Sequence, residues 1–194
     1  MSAMGKGRLE AFSDGVIAVI ITIMVLELKP PHGNHLAALN EVLPVFGTYV
    51  LSFVFVAIYW NNHHHMLQAV EKVSGAALWA NLHLLFWLSL VPFMTHWMNE
   101  TQFAVMPVAA YGVVLLMSGT AYYILSSLLI RLHGKHSTLA AAVGSDAKGI
   151  MSLLLYVSAI ALSFVSRWIA IGIYVMVALI WLVPDRRIEK VLHD

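Results

Sequence analysis

Residues 15 to 26 read Gly15-Val16-Ile17-Ala18-Val19-Ile20-Ile21-Thr22-Ile23-Met24-Val25-Leu26, twelve positions without a charge and with one hydroxyl. The run is entered through Arg8-Leu9-Glu10-Ala11-Phe12-Ser13-Asp14 and left through Glu27-Leu28-Lys29-Pro30-Pro31. A helix rises about 1.5 Å per residue, so a hydrocarbon core of roughly 30 Å takes about 20 apolar residues. Leu9 to Leu28 meets that length and is expected to be the first of several membrane helices. It lacks a small-residue cleavage site, so it is expected to be retained rather than removed as a signal peptide.

Working outward, five more stretches qualify. They are expected at residues 42–60, 76–97, 105–132, 150–164 and 169–183, with Pro184 stopping the last. Pro44 falls in a first helical turn, where a missing N–H is harmless. The runs are continuously apolar instead of alternating, so helices are expected and barrel strands are not. The fold class is therefore all-α, a polytopic membrane protein of six helices in one domain covering residues 1–194.

Composition agrees. The 194 residues are 60% hydrophobic and 11% charged, against about 45–50% and about 25% in soluble domains. Mean hydropathy is +0.81. A formal net charge of +1 offers nothing to nucleic acid. The absence of cysteine removes disulfides, thiolate catalysis and Cys-based metal centres. With six spans, Lys6, Arg8, Lys72, Arg131, Lys135, Lys148, Arg186, Arg187 and Lys190 share one side, and only Lys29 and Arg167 lie opposite. The positive-inside rule then puts both termini in the cytoplasm, with the chain in the cell (inner) membrane.

Asp14 is the acidic residue set well inside a span, and charge at such depth is costly. Two readings stand. Ser13 and Asp14 cap a helix that begins at Gly15, or Asp14 locks the inner end of a longer helix to a neighbour. In the second, Arg8 and Phe12 belong to the same continuous helix. Beyond Asp14, the positions Gly15, Val19, Thr22 and Leu26 form one stripe. From spacing alone that stripe is a pore lining or an ordinary packing face.

The pattern Arg8-x-x-x-Phe12-Ser13-Asp14-Gly15-Val16-x-Ala18-x-x-x-Thr22-x-x-Val25-Leu26-Glu27 resembles the opening helix of the transmembrane protein 175 family. These are potassium channels of endosomes and lysosomes, with prokaryotic homologues. Tyr59-Trp60-x-x-His63-His64, Asn81 and Leu90-Val91-Pro92-Phe93 fit the same resemblance. Animal members carry two six-helix repeats and prokaryotic members one, so this chain resembles a prokaryotic member.

The resemblance implies a homotetramer whose first helices line a central pore without a re-entrant selectivity filter. By position it makes Val19, Ile23 and Leu26 the constriction and Thr22 the polar layer. It places Arg8, Phe12, Ser13, Asp14, Trp60 and His63 or His64 in a network at the inner ends. A neutral histidine donating to Asp14 would satisfy a buried acceptor. In a tetramer Glu27 would form an acidic ring at the pore mouth. Apolar rings exclude water and oppose ion entry, and threonine oxygens replace part of a hydration shell. Potassium gives up water more readily than sodium. The implied function is a potassium-permeable cation channel of weak to moderate selectivity, with potassium as the permeant ion and no cofactor.

Other chemistry finds less support. Consecutive helical residues point about 100° apart, so His63, His64 and His65 cannot converge on one metal ion. His83 and His96 lie at different depths, which is unsuited to axial haem ligation. Asn81 and His83 are expected to bond between helices. No nucleophile–base spacing or Gly-rich phosphate loop suggests an enzyme. A proton-coupled or other secondary ion transporter is the alternative, although it would favour several buried carboxylates or a broken helix pair.

Overall fold

The computed structural model describes residues 6–33, 35–143 and 146–182. Pro184, Arg186, Arg187 and Lys190, invoked above for the last span's end and for orientation, lie outside the described residues. So does Val183, the final residue expected in the sixth span. The described chain is all-helical. Its α-helices are α1 (Lys6–Val25), α2 (Leu43–Gln68), α3 (Gly75–Ser89), α4 (Val91–Glu100), α5 (Val105–His133), α6 (Thr138–Val143), α7 (Ala147–Ser163) and α8 (Arg167–Leu182). A 3-10 turn at Leu36–Glu41 lies between α1 and α2.

Helix ends depart from the sequence expectation for identifiable reasons. α1 stops at Val25, and the chain tightens into i→i−3 bonds from Leu26 to Ile23 (3.0 Å) and from Leu28 to Val25 (3.1 Å) ahead of Pro30-Pro31. α2 runs eight residues beyond Trp60, because the polar side chains that end the apolar run find partners on adjacent helices. The expected third helix is broken into α3 and α4 at Leu90. Pro92 has no N–H to return to the Leu88 carbonyl, so the ladder is interrupted there. The short α6 was not anticipated from the sequence; it is bracketed by Gly134 and the polar segment before Ala147.

Among the described residues, three helical stretches are long and apolar enough to cross a membrane: Leu43–Gln68, Gly75–Glu100 and Val105–His133. α7 and α8 are apolar but shorter, at 17 and 16 residues. α1 has 20 residues but carries Lys6, Arg8, Glu10 and Asp14. The outer surface is rich in exposed large apolar side chains, Trp79, Leu154, Trp168 and Leu179 among them, as expected where lipid is the solvent.

α5 is the central element, packed against α3, α4, α7 and α8, while α1 lies against α2, α3 and α4. Lipid supplies little hydrophobic drive between helices, so close approach through small residues matters. Ala77, Ala80, Ala109, Ala121, Ala159, Ala170 and Ala178 are all buried. Gly112 of α5 makes room for Tyr174 of α8, whose hydroxyl donates to the Val108 carbonyl at 3.1 Å. Where α2, α4 and α5 meet, Ser52 Oγ lies 2.7 Å from Thr95 Oγ1 and 3.0 Å from the Tyr111 hydroxyl, so three buried hydroxyls satisfy one another.

α1 and α2 run in opposite directions. Lys6 Nζ donates to the Gln68 carbonyl, which brings the start of α1 to the end of α2. At the opposite end, Arg167 donates to the carbonyls of Gln102 and Phe103, at 3.4 and 3.3 Å. Those two residues turn the chain from α4 to α5 with positive φ. Arg167 thereby ties the α7–α8 turn to the α4–α5 connection.

Candidate functional site

The site is organised by two faces of α1. Leu9, Ser13, Ile17, Ile20 and Met24 are buried, spaced four, four, three and four residues apart, and they form the face applied to the bundle. Gly15, Val19, Thr22 and Leu26 lie on the other side and are exposed in the single chain, with Ile23 at the edge of the same face. Leu26 is 76% exposed. The Thr22 hydroxyl donates to the Val19 carbonyl at 3.0 Å. Its proton is thus spent within the helix, and the oxygen keeps its accepting capacity on an exposed side chain.

α1 is continuous from Lys6 through Val25, so Arg8, Phe12 and Asp14 share one helix and the helix does not begin at Gly15. Ser13 does not cap it. Its hydroxyl donates to the Leu9 carbonyl at 2.8 Å, and its oxygen accepts from Asn81 Nδ2 at 2.9 Å. The Asn81 Oδ1 lies 2.7 Å from His63 Nε2. With Asn81 Oδ1 as acceptor, neutral His63 carries its proton on Nε2. Ser13, Asn81 and His63 are all fully buried, so this chain of bonds joins α1, α3 and α2 in the interior. His63 Nδ1 has no hydrogen-bond partner among the described residues.

Asp14 is held by Trp60, whose indole N–H donates to Oδ1 at 3.0 Å. Among the described residues no histidine takes that role: His63 turns to Asn81, and His64 turns to Glu10, with Nδ1 and Oε1 3.3 Å apart. The His64 ring also stacks on Trp60, at 5.8 Å between centroids. Indole serves Asp14 better than imidazole because its N–H is a donor at every accessible pH. Arg8 and Phe12 remain on the exposed side of α1, and Arg8 makes no hydrogen bond or ion pair among the described residues.

At the other end of α1, Glu27 Oε2 lies 2.5 Å from His96 Nδ1 on α4. Glu27 is therefore paired within the subunit. An open groove beside this pair runs between α1 and the α3–α4 break, lined by Gly15, Val19, Ile23, Glu27, Pro92 and Phe93. His83 does not bond between helices as anticipated. It accepts from Trp87 Nε1 at 2.8 Å, one turn further along α3.

Sequence reasoning gave Asn81 only an interhelical hydrogen bond; the structure makes it the bridge of the site. A lone asparagine in an apolar helix was the signal, though its partners were not readable. Glu10 and His96 were missed as partners of His64 and Glu27. No spacing rule connects residues on different helices.

This arrangement coincides with a known family. Residues 8–92 match the family model described as the endosomal/lysosomal potassium channel TMEM175. A potassium channel of Chryseobacterium sp. (strain P1-3) is 58% identical over 191 residues, covering 98% of this chain and 100% of that one. The endosomal/lysosomal proton channel TMEM175 of Gallus gallus is 34% identical over 83 residues, 37% of this chain and 17% of that protein. The crystal structure of a lysosomal potassium-selective channel TMEM175 homolog from Chamaesiphon minutus superimposes with a TM-score of 0.79 at 28% identity. That match covers 91% of this chain and 96% of the other. With 58% identity to a potassium channel along nearly its whole length, this chain belongs to the TMEM175 family of ion channels and is not an enzyme.

Proposed function

We propose that four copies of this chain form a potassium-permeable cation channel whose pore is lined by α1. Each subunit crosses the cell membrane six times, through α1, α2, α3 with α4, α5, α7 and α8, with both termini in the cytoplasm. The observation that carries the reading is the two-faced character of α1. One face is locked into the bundle through Ser13 and Asp14, while the other presents Val19, Thr22, Ile23 and Leu26 away from it. Around a fourfold axis, Val19, Ile23 and Leu26 form apolar rings that resist wetting, and Thr22 supplies one oxygen layer. Glu27, partnered by His96, sits at the mouth and attracts cations. One oxygen per subunit replaces only part of a hydration shell, which gives weak to moderate preference for potassium over sodium.

The names of the relatives that cover most of the chain support potassium as the permeant ion. The test is reconstitution in planar bilayers with potassium on one side and sodium on the other. Wild type gives a reversal potential displaced toward the potassium equilibrium value. Thr22→Ala removes one ligand per subunit, worth about 1 kcal/mol, and lowers the permeability ratio about fivefold at most. Leu26→Ala raises conductance by widening an apolar ring. A reversal potential that follows only an imposed proton gradient, or saturating coupled flux without unitary currents, replaces this reading with the transporter alternative. A monomeric mass for the purified particle by light scattering removes the pore.

A further inference from the structure

Outside the α1 network, one histidine joins two elements through both of its ring nitrogens. His133 is the last residue of α5. Its Nδ1 lies 2.9 Å from the Leu129 carbonyl, one turn back in its own helix. A carbonyl only accepts, so Nδ1 carries a proton. Its Nε2 accepts from two backbone amides of the α2–α3 connection, Glu71 N and Lys72 N, each at 3.2 Å. A nitrogen that accepts two N–H groups carries no proton. The neutral Nδ1–H tautomer is thereby fixed by three neighbouring atoms.

We propose that His133 is a proton-operated latch: neutral, it holds the α2–α3 connection to the end of α5, and protonated at Nε2 it lets that connection go. A third N–H placed against two N–H donors repels both. Leu129 keeps its bond in either state, so only the link to the connection is switched. The ionisable neighbours on the connection are Glu71 and Lys72, of opposite sign. Along its own chain they are Arg131, Lys135 and His136. α6 brings none, α3 brings none before His83, and α7, also packed on α5, opens with Asp146 and Lys148.

The connection leads through the Ser74 cap into α3, which carries Asn81 against Ser13 of α1. Releasing the latch loosens the support of α1, so acid on this side changes ion flow. That coupling rests on the proposed pore; the latch itself does not.

The experiment is hydrogen exchange with residue-resolved fragmentation on the full protein, normalised to intrinsic rates, at about pH 8 and about pH 5, either side of the usual histidine range. Wild type shows the Glu71 and Lys72 amides protected at the higher pH, with protection falling at least fivefold at the lower. His133→Gln, with a donor and an acceptor but no titration, keeps its protection at both. Equal wild-type protection at the two pH values overturns the latch, as does His133→Ala with wild-type protection at pH 8. Bilayer currents are then recorded while the same side is acidified. A response in wild type that is absent in His133→Gln supports the coupling, and an equal response in both refutes it. Absence of any current defeats the channel reading while the exchange result stands.

Discussion

The Trp60 indole donates its N–H across 3.0 Å to the Asp14 carboxylate, binding the second helix to the first, one residue along from the Ser13–Asn81 contact. The pair fixes α1 in rotation about its own axis. Ser13 and Asp14 are adjacent on the helix, so their side chains diverge by about 100°. Holding both, one by α3 and one by α2, leaves α1 a single orientation and determines which of its residues face away from the bundle.

Removing the donor should loosen this hold. A charge-assisted hydrogen bond contributes about 1.5–3 kcal/mol, but Trp60 is 41% exposed and water replaces part of it. Trp60→Phe is expected to cost about 1 kcal/mol, lowering the melting temperature by about 2–4 °C. Asp14→Ala should reduce tetramer recovery on size exclusion. In a double-mutant cycle the two losses fall short of additivity; full additivity would mean that the residues do not cooperate.

Asn81→Leu is expected to be more damaging. It strands the His63 Nε2–H in a buried site where Nδ1 already lacks a partner. An unsatisfied buried donor costs about 1–3 kcal/mol, which corresponds to a fall of about 5 °C in melting temperature. Asn81→Asp keeps an acceptor for His63 and should lie between the two. Thermal unfolding of both variants in the same detergent checks the order.

Gly112→Ala tests the packing of α5 on α8. A Cβ there collides with the Tyr174 hydroxyl and comes within 2.9 Å of Ile160 Cγ1. Overpacking of this kind costs about 1–3 kcal/mol. Tyr174→Phe in the same chain removes the nearest obstacle and should recover part of the loss. A double variant no more stable than Gly112→Ala alone would place the strain elsewhere.

Asp146, just before α7, carries a carboxyl raised above its ordinary value by burial, an effect that the Gly149 amide only partly offsets. A raised carboxyl favours the folded state in its protonated form. That contribution is present below the ordinary aspartate range and is lost as pH rises through the folded value. Asp146→Asn, neutral at every pH, should therefore raise the melting temperature at pH 7. The gain should vanish at about pH 4 and below. Unfolding curves of wild type and variant at these two pH values provide the comparison.

How much was legible beforehand varies by residue. Val16 to Val25 declared a helix because no charge, glycine or proline interrupts the run, and Asp14 declared itself as a residue needing a partner. Neither the break at Leu90, for which Pro92 was the signal, nor the extension of α2 to Gln68 was anticipated. Polar residues at a helix end look like a stop when read alone and continue the helix when neighbours satisfy them.

The sequence by itself determined that this chain is an all-helical membrane protein, because composition and run length select the solvent before any contact forms. It also determined the family, through spacings along one helix, which are local. Only the tertiary structure decided that Trp60 and not a histidine holds Asp14, that Asn81 joins Ser13 to His63, and that Thr22 faces away from the bundle. Those choices depend on the rotation and depth of helices distant in sequence, set by side chains such as Gly112 and Tyr174 meeting across the bundle, and no periodicity along a single strand of residues encodes them.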